Sequence, residues 1–218
     1  EPEPVPVASP PGLVMPGQSL VDDAPPPPPP EPKMLRSEHS PTLPPMAAEL
    51  DEDRPEDLAE MLFELSFDIM MAESIPDACR LALQQLHDLV AAEAGAVLYS
   101  DINSVGLSFM AAFGPASKQL IGKTISFETG VAGFCHQYGV GLVLQDTVRD
   151  QRHDKSVDEA VGFQTRSLLA APILSPGGHT YGCLELLNAP ERFRDWHLEA
   201  AQGIASALGD FANRHEGR

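Results

Sequence analysis

The sequence predicts an α+β fold: a six-stranded antiparallel sheet with helices on both faces, preceded by a disordered arm. Three observations predict it. Six short segments alternate apolar and polar residues and are joined by short connections. Segments with helical three-and-four apolar spacing are grouped at both ends of the part that can fold. Finally, 17 of the 22 prolines lie within the first 55 residues. The fold is therefore expected in residues 56–214.

The first 55 residues are expected to form a disordered, acidic, proline-rich linker. Their apolar residues follow no period, and residues 25–30 are consecutive prolines, which adopt the extended polyproline II conformation. Two roles stay open for this run. It is either a docking ligand for an aromatic groove on a partner protein, flanked by Glu31 and Lys33, or a stiff spacer. Residues 215–218 are expected to form a short tail.

The first helix is predicted over about 56–71 and has two apolar sides. One stripe consists of Leu58, Met61, Leu62, Leu65 and Ile69, and the other of Ala59, Phe63, Phe67 and Met70. The second stripe needs a surface of its own, which is either a partner subunit or the C-terminal helix of the same chain. A second helix is predicted from Ser74, which resembles a capping box together with Asp77, to near Gly95.

From Gly95 onward the apolar period changes from helical to alternating. Strands are predicted at about 96–99, 107–113, 124–127, 140–144, 168–174 and 181–187. Two short helices interrupt them, one from Thr129 as N-cap to Gly139 and one from Ser156 as cap to Gly162. Residues 146–154 are predicted to be a polar loop. The last helix is predicted to begin at Asp195 and to fray at the C-terminus.

The charge and the cysteines limit the partners and the compartment. The chain has 32 acidic and 14 Lys or Arg side chains, a net charge of −18, and no basic patch is visible in the sequence. Such a surface repels phosphate, so neither nucleic acid nor a membrane is expected as a partner. Cys79, Cys135 and Cys183 stand singly in apolar patterns, which is typical of buried thiols in a reducing compartment. We therefore expect a cytoplasmic location.

The sequence holds no recognisable catalytic motif. Residues 130–133 lack the Lys and Ser or Thr register of a phosphate-binding loop. The seven histidines are never paired on one helix or strand face, so no metal site is expected. Cys135 precedes His136, but adjacent helical residues point about 100° apart, which hinders a hydrogen bond between their side chains. No catalytic residue is assigned, and the chain is not expected to be an enzyme.

Four segments together resemble the GAF family of sensory domains. They are FETGVAGF at 127–134, Asp146, GFQTRSLLAAPI at 162–173 and GCLELLN at 182–188. The resemblance covers about 56–213. It implies a six-stranded antiparallel sheet with a helical bundle on one face and, on the other, a pocket roofed by the two short internal helices. It also implies that the terminal helices join two copies into a homodimer.

A small-molecule ligand is expected in that pocket. The residues expected to bind it are Phe113, Phe134, Asp146, Phe163, Thr165, Arg166 and Glu185. Phe163 offers a ring on which a flat ligand can stack, and the helix N-terminus near Gly130 favours an anionic ligand group. Arg166 contributes a fixed positive charge to the ligand or instead braces a carboxylate of the fold. No cofactor is identified.

Departures from the family's ligand-specific patterns leave three functions open. Ala189 and His197 replace the Lys and Asp of cyclic-nucleotide-binding members. No cysteine lies between His136 and Gly182 to attach a bilin, and the cysteines do not match those of members that reduce methionine sulfoxide. The first function is a ligand-gated regulatory domain that signals through its terminal helices to a partner protein. The second is a dimerisation module whose cavity is filled by its own side chains, and the third and last is a thiol-dependent redox enzyme.

Overall fold

The computed structural model describes residues 53–101 and 103–216. Almost all of the predicted arm and the last two residues of the predicted tail lie outside this range. The proline run at 25–30 is among them, so its two open roles stay predictions. Asp53 and Glu216, which lie slightly outside the predicted limits of 56–214, both make side-chain contacts with the folded part.

The described residues form six α-helices, six strands and one 3-10 turn. The helices are α1 (Leu58–Met70), α2 (Ile75–Leu89), α3 (Ser117–Leu120), α4 (Gly130–Tyr138), α5 (Ser156–Val161) and α6 (Asp195–Glu216). The strands are β1 (Ala94–Tyr99), β2 (Leu107–Phe113), β3 (Thr124–Ile125), β4 (Leu142–Leu144), β5 (Leu168–Leu174) and β6 (Thr180–Leu187), and the 3-10 turn is Thr147–Arg149. The order in the sheet is β3-β2-β1-β6-β5-β4, with every neighbouring pair antiparallel. The predicted α+β class is confirmed.

The long helices α1, α2 and α6 cover one face of the sheet. Their core contains fully buried side chains from each layer, including Leu86 of α2, Leu184 and Leu186 of β6, and Leu208 and Phe211 of α6. Helix α6 approaches β5 very closely, since a Cβ built on Gly209 would lie 2.0 Å from the carbonyl oxygen of Leu174. Only glycine allows this contact, which fixes the helix against the end of β5.

The two apolar stripes of α1 have different surroundings. Leu58 and Ile69 of the first stripe are fully buried, and Leu62 packs against Gly203 of α6. Phe63 and Phe67 of the second stripe are 75% and 64% exposed. The C-terminal helix of the same chain therefore covers the first stripe and reaches Met70 of the second, but it leaves Phe63 and Phe67 uncovered.

The short helices α4 and α5 cover the opposite face. Apolar side chains from β1, β2, β5 and β6 pack there against Val131, Ala132 and Cys135 of α4, which all point toward the sheet. By contrast, α5 has no buried residue. Of the two helices that form the roof over this face, α4 is therefore firmly packed and α5 is loosely packed.

Several predicted boundaries were wrong for identifiable reasons. Helix α2 ends at Leu89, and Gly95 lies inside β1, where the position requires glycine because a side chain would collide with Phe113 of β2. The N-cap of α5 is Lys155, while Ser156 is its first residue and donates its N–H to Asp154 at 2.7 Å. The four-residue helix α3 and the 3-10 turn were missed, since segments this short show no apolar period.

Candidate functional site

A cavity of about 80 Å³ lies between the sheet and the two short helices. Its floor includes Ala96, Leu98, Phe109, Leu168, Glu185 and Leu187, its roof Thr129, Gly130, Val131, Val157, Asp158 and Val161, and its sides Phe113, Leu120, Ile125, Phe163 and Thr165. An engineered apolar cavity of about 150 Å³ admits benzene. The present cavity therefore suits a group of a few atoms, unless α5 moves outward.

The structure brings four of the seven predicted site residues together. Phe113, Phe163, Thr165 and Glu185 all line the cavity. They come from the end of β2, from the segment after α5 and from the middle of β6. Phe134, Asp146 and Arg166 do not line it, and each is engaged elsewhere.

Phe134 lies on the outer side of α4. Its ring packs 4.7 Å from the ring of Tyr138, and the guanidinium of Arg152 lies 5.2 Å from its centre. Val131 and Cys135 occupy the inward side of the helix, and consecutive residues of a helix point about 100° apart, so Phe134 turns away from the sheet. Its prediction as a cavity residue does not agree with this geometry.

Asp146 and Arg166 hold the fold rather than face the cavity. Asp146 caps the 3-10 turn by accepting the N–H of Val148 at 3.0 Å. Arg166, whose side chain is 60% exposed, pairs with Glu93 at 2.7 Å. Hydrogen bonds from Asn188 and from Arg166 lower the pKa of Glu93. Arg166 thus has the structural role that the sequence offered as its alternative.

Glu185 is the principal polar group of the floor. It is 9% exposed and has no hydrogen-bond or ion-pair partner among the residues that the structure describes. Burial, together with the smaller effect of the nearby negative charge of Asp158, raises its pKa from an ordinary 4.5 to about 7. Strand alternation puts Glu185 on the cavity side while its neighbours Leu184 and Leu186 enter the opposite core.

Asp158 organises the segment that closes the cavity. Its carboxylate accepts the backbone N–H of Thr165 at 2.8 Å and the Thr165 hydroxyl at 2.9 Å, and His153 Nε2 lies 3.5 Å away. Its backbone carbonyl accepts the N–H of Phe163 at 3.0 Å. The left-handed conformation of Gly162, with φ at 68°, ends α5 and turns Phe163 toward the cavity.

Sequence reasoning missed the acidic roof. Asp154, Asp158 and His153 line the cavity, but none of them was predicted as a site residue. The available signal was the acidic start of α5, since Asp154 accepts the N–H of Ser156 and Asp158 lies in the first turn of the helix. Together with Glu185 they give the lining three carboxyls and one imidazole, and among the described residues the lining has no Lys or Arg. This charge opposes the anionic ligand group expected from the helix N-terminus near Gly130.

The remaining reactive groups are buried. Cys79, Cys135 and Cys183 are free thiols with no exposed surface. Burial raises the pKa of Cys79 to about 12 and that of Cys183 well above its usual value. In the described part of the chain, no three His, Cys, Asp or Glu side chains are grouped to hold a metal. No helix within residues 53–101 and 103–216 has the length and apolar character needed to cross a membrane.

Comparison with known proteins gives the same family by sequence model and by structure. The model of the GAF domain family matches residues 74–210. Among curated proteins, the dual 3′,5′-cyclic-AMP and -GMP phosphodiesterase 11 of Drosophila melanogaster is 25% identical over 145 residues, which are 61% of this chain and 10% of that protein. A dual phosphodiesterase 11A of Takifugu rubripes is 29% identical over 59 residues, 27% of this chain and 6% of that protein. The chain thus spans a tenth or less of these relatives.

Solved structures of low sequence identity share the fold. The GAF domain of a phosphoenolpyruvate-protein phosphotransferase from Coxiella burnetii superimposes with a TM-score of 0.63 at 18% identity, over 74% of this chain and 96% of that one. Free methionine-R-sulfoxide reductase from Neisseria meningitidis, solved with its substrate, superimposes with a TM-score of 0.58 at 18% identity, over 72% and 90%. Since the family model covers more than half of the chain, the protein belongs to the GAF domain family, a family of sensory and regulatory domains.

Proposed function

We propose that the chain is a regulatory domain that binds a small molecule in the cavity between the sheet and helices α4 and α5. The observation that carries this proposal is Glu185. A buried carboxyl without a partner costs stability, and such groups concentrate at functional sites. The rings of Phe113 and Phe163 belong to the same lining, which is mostly apolar and contains a few polar groups, the usual composition of a ligand site.

Strand β6 offers a route from the cavity to the terminal helices. Glu185 faces the cavity, whereas Leu184 and Leu186 on either side of it pack in the core that contains Leu208 and Phe211 of α6. A ligand that draws Glu185 toward the roof therefore shifts side chains under α6. The signal then passes to whatever α1 and α6 contact, which we take to be a second copy of the chain and a signalling partner protein.

A non-enzymatic role is part of the proposal. The redox alternative needs a thiolate, but all three thiols are buried and burial raises the pKa of Cys79 and Cys183. Reduction of free methionine sulfoxide, which the name of the Neisseria protein states, therefore has no accessible thiol here. Free thiols also agree with the reducing cytoplasm as the location.

The second candidate function is dimerisation through α1. Phe63, Phe67 and Met71 are exposed at four-residue spacing, so one side of the helix is an uncovered apolar stripe. We propose that a second copy covers it, with the two α1 helices antiparallel. In an antiparallel pair, the acidic start of one α1, which contains Glu60, lies beside the end of the other α1. Arg214 lies next to Met70 at that end, so Glu60 of one copy comes close to Arg214 of the other.

A thermal-shift screen tests the ligand-binding proposal. The full chain is heated with nucleotides, cyclic dinucleotides and small metabolites, and a ligand at about a hundred times its dissociation constant adds roughly 2.7 kcal/mol to the free energy of unfolding. Phe163→Ala should weaken binding of any hit, since this ring lines the cavity. The matched control is Phe134→Ala, which removes a ring of the same type outside the cavity and should leave binding unchanged. Equal losses in both variants, or no hit at all, would contradict the proposal.

A further inference from the structure

The lining of the cavity is acidic and lacks an internal counter-charge. Asp154, Asp158 and Glu185 face it, and His153 is the only basic side chain among the lining residues that the structure describes. Arg152, close to the roof in sequence, turns outward, where it pairs with Asp150 at 2.6 Å and lies over the ring of Phe134. A ligand must therefore supply the positive charge or the hydrogen-bond donors that the lining lacks.

The acceptors of the cavity are not equivalent. Both oxygens of Asp158 accept hydrogen bonds from Thr165, and His153 is close to one of them. Glu185 has no such partner within the described residues, although nine-tenths of its surface is buried. Buried polar groups are nearly always hydrogen-bonded, so a free carboxyl that faces a cavity marks the place of a missing donor.

The rings around the cavity favour a flat cation. Phe113 and Phe163 line its sides, and a planar cation that stacks on an aromatic face gains cation–π attraction. A planar group with two parallel N–H donors also matches the two oxygens of a carboxylate, as in Arg–carboxylate pairs. The cavity volume of about 80 Å³ limits this group to a few atoms.

We propose that the cavity binds a small amidinium or guanidinium cation whose two N–H donors pair with the carboxylate of Glu185 between the rings of Phe113 and Phe163. This inference rests on the proposed ligand-binding function and names the chemical class of the ligand. An anion of the same shape is repelled by Asp154, Asp158 and Glu185. A neutral amide carries both of its N–H donors on one nitrogen, so it cannot donate two parallel hydrogen bonds to the two oxygens of the carboxylate.

Binding should depend on pH in a defined direction. The pKa of Glu185 is about 7 in the empty cavity, and a cation selects the ionised carboxylate, so a proton leaves Glu185 on binding. Affinity should rise about tenfold between pH 6 and pH 8, as the ionised fraction rises. The other titratable groups of this region are Asp154, Asp158 and His153 in the lining of the cavity, and Cys183, which lies near Glu185 on β6 and contacts Cys135 of α4.

Three isosteric probes test the inference on the full chain. Acetamidinium, acetamide and acetate have nearly the same size and differ in charge and donors. Nitrogen-15 chemical shifts of the chain, followed at pH 8, should give the tightest binding for acetamidinium, weaker binding for acetamide and none for acetate. The perturbed amides should include those of Thr165 and of residues around Glu185.

Glu185→Gln isolates the carboxylate. This variant should bind acetamidinium at least about tenfold more weakly and lose most of the rise in affinity between pH 6 and 8. Its matched control is Glu191→Gln, which removes the same charge from an exposed position outside the cavity and should bind like the wild type. Equal weakening in both variants would mean that the net charge of the chain attracts the cation, and would overturn the inference.

The outcomes separate this inference from the proposed function. Binding of acetate or acetamide as tight as that of acetamidinium, at the same amides, overturns the charge assignment and keeps the cavity as a ligand site. Absence of shifts with all three probes overturns the inference, while the thermal-shift screen decides the proposed function independently. Shifts from acetamidinium that lie outside the cavity also overturn it.

Discussion

Glu185 opposes the stability of the fold at neutral pH. The pKa of its carboxyl is about 7 in the folded chain and near 4.5 when exposed, so the folded state favours the protonated form. Below pH 4.5 the carboxyl of Glu185 is protonated in both the folded and the unfolded chain, so its ionisation does not lower the free energy of unfolding. As the pH rises from 4.5 to 7 the unfolded chain ionises first, and the free energy of unfolding falls by about 3 kcal/mol in total.

Glu185→Gln should therefore stabilise the protein in a pH-dependent way. At pH 8 the free energy of unfolding should increase by as much as about 3 kcal/mol, since the amide carries no charge to bury. At pH 4 the change should be close to zero. Urea denaturation at pH 4 and pH 8 measures the free energy of unfolding. The exposed control Glu191→Gln should not change this free energy at either pH. A variant that is no more stable than the wild type at pH 8 would contradict the assignment of Glu185 as a buried, unpaired carboxyl.

Helix α1 shows how one element serves two surfaces. Leu58 and Ile69 anchor it to the core, and Phe63 and Phe67 on its other side remain exposed in the single chain. The acidic side chains of the same helix and the exposed phenylalanines lie side by side, so the uncovered surface is apolar with a negative border. Contiguous exposed apolar side chains of this kind are typical of interaction surfaces, which is why we proposed a second copy of the chain there.

Replacing Phe63 and Phe67 together by Glu should convert the proposed dimer into a monomer. The added charges cannot be buried at the α1–α1 contact, whereas the fold of the single chain loses little because both rings are exposed. Sedimentation equilibrium over a range of concentrations measures the state of assembly. Val105→Glu changes an exposed apolar residue between β1 and β2, outside α1, and should leave the dimer intact. A monomeric wild-type chain would contradict the dimer proposal while leaving the ligand proposal standing.

At the scale of the whole molecule, the folded unit is longer than the matched family region. The GAF model begins at residue 74, yet α1 contributes fully buried side chains to the core. Just before α1, Asp53 pairs with Arg194 at 2.6 Å and Arg54 pairs with Glu199 at 3.0 Å. These ion pairs fasten the beginning of the domain to the start of α6.

Removing residues 1–50 should leave the melting temperature within about 2 °C of the full chain, since the proline-rich arm is predicted to contribute nothing to the core. Removing residues 1–71 should instead lower the stability by several kcal/mol, because Leu58 and Ile69 are lost from fully buried positions. Differential scanning calorimetry distinguishes the two truncations. A large loss on the first truncation would show that the arm takes part in the fold.

The sequence by itself determined the features that depend on nearby residues. The α+β class follows from alternation and helical spacing within short windows. The start of α2 follows from Ser74, whose hydroxyl accepts the N–H of Asp77 at 3.3 Å, and the left-handed Gly139 and Gly162 end α4 and α5 as predicted. Four cavity residues, among them Phe163 and Glu185, were also identified, because they lie within motifs or on one side of a strand.

Only the tertiary structure decided the chemistry of the cavity. Arg166 pairs with Glu93, which is 73 positions away, and so leaves the cavity without its expected positive charge. Asp158 lies close enough to Glu185 for its charge to raise the pKa of that carboxyl, and it bonds to Thr165, only because α5 folds over the sheet. Likewise, which stripe of α1 is exposed depends on the position of α6, which covers the opposite side of that helix. Charge, burial and pairing depend on which distant groups meet, and a linear pattern of residues does not contain that information.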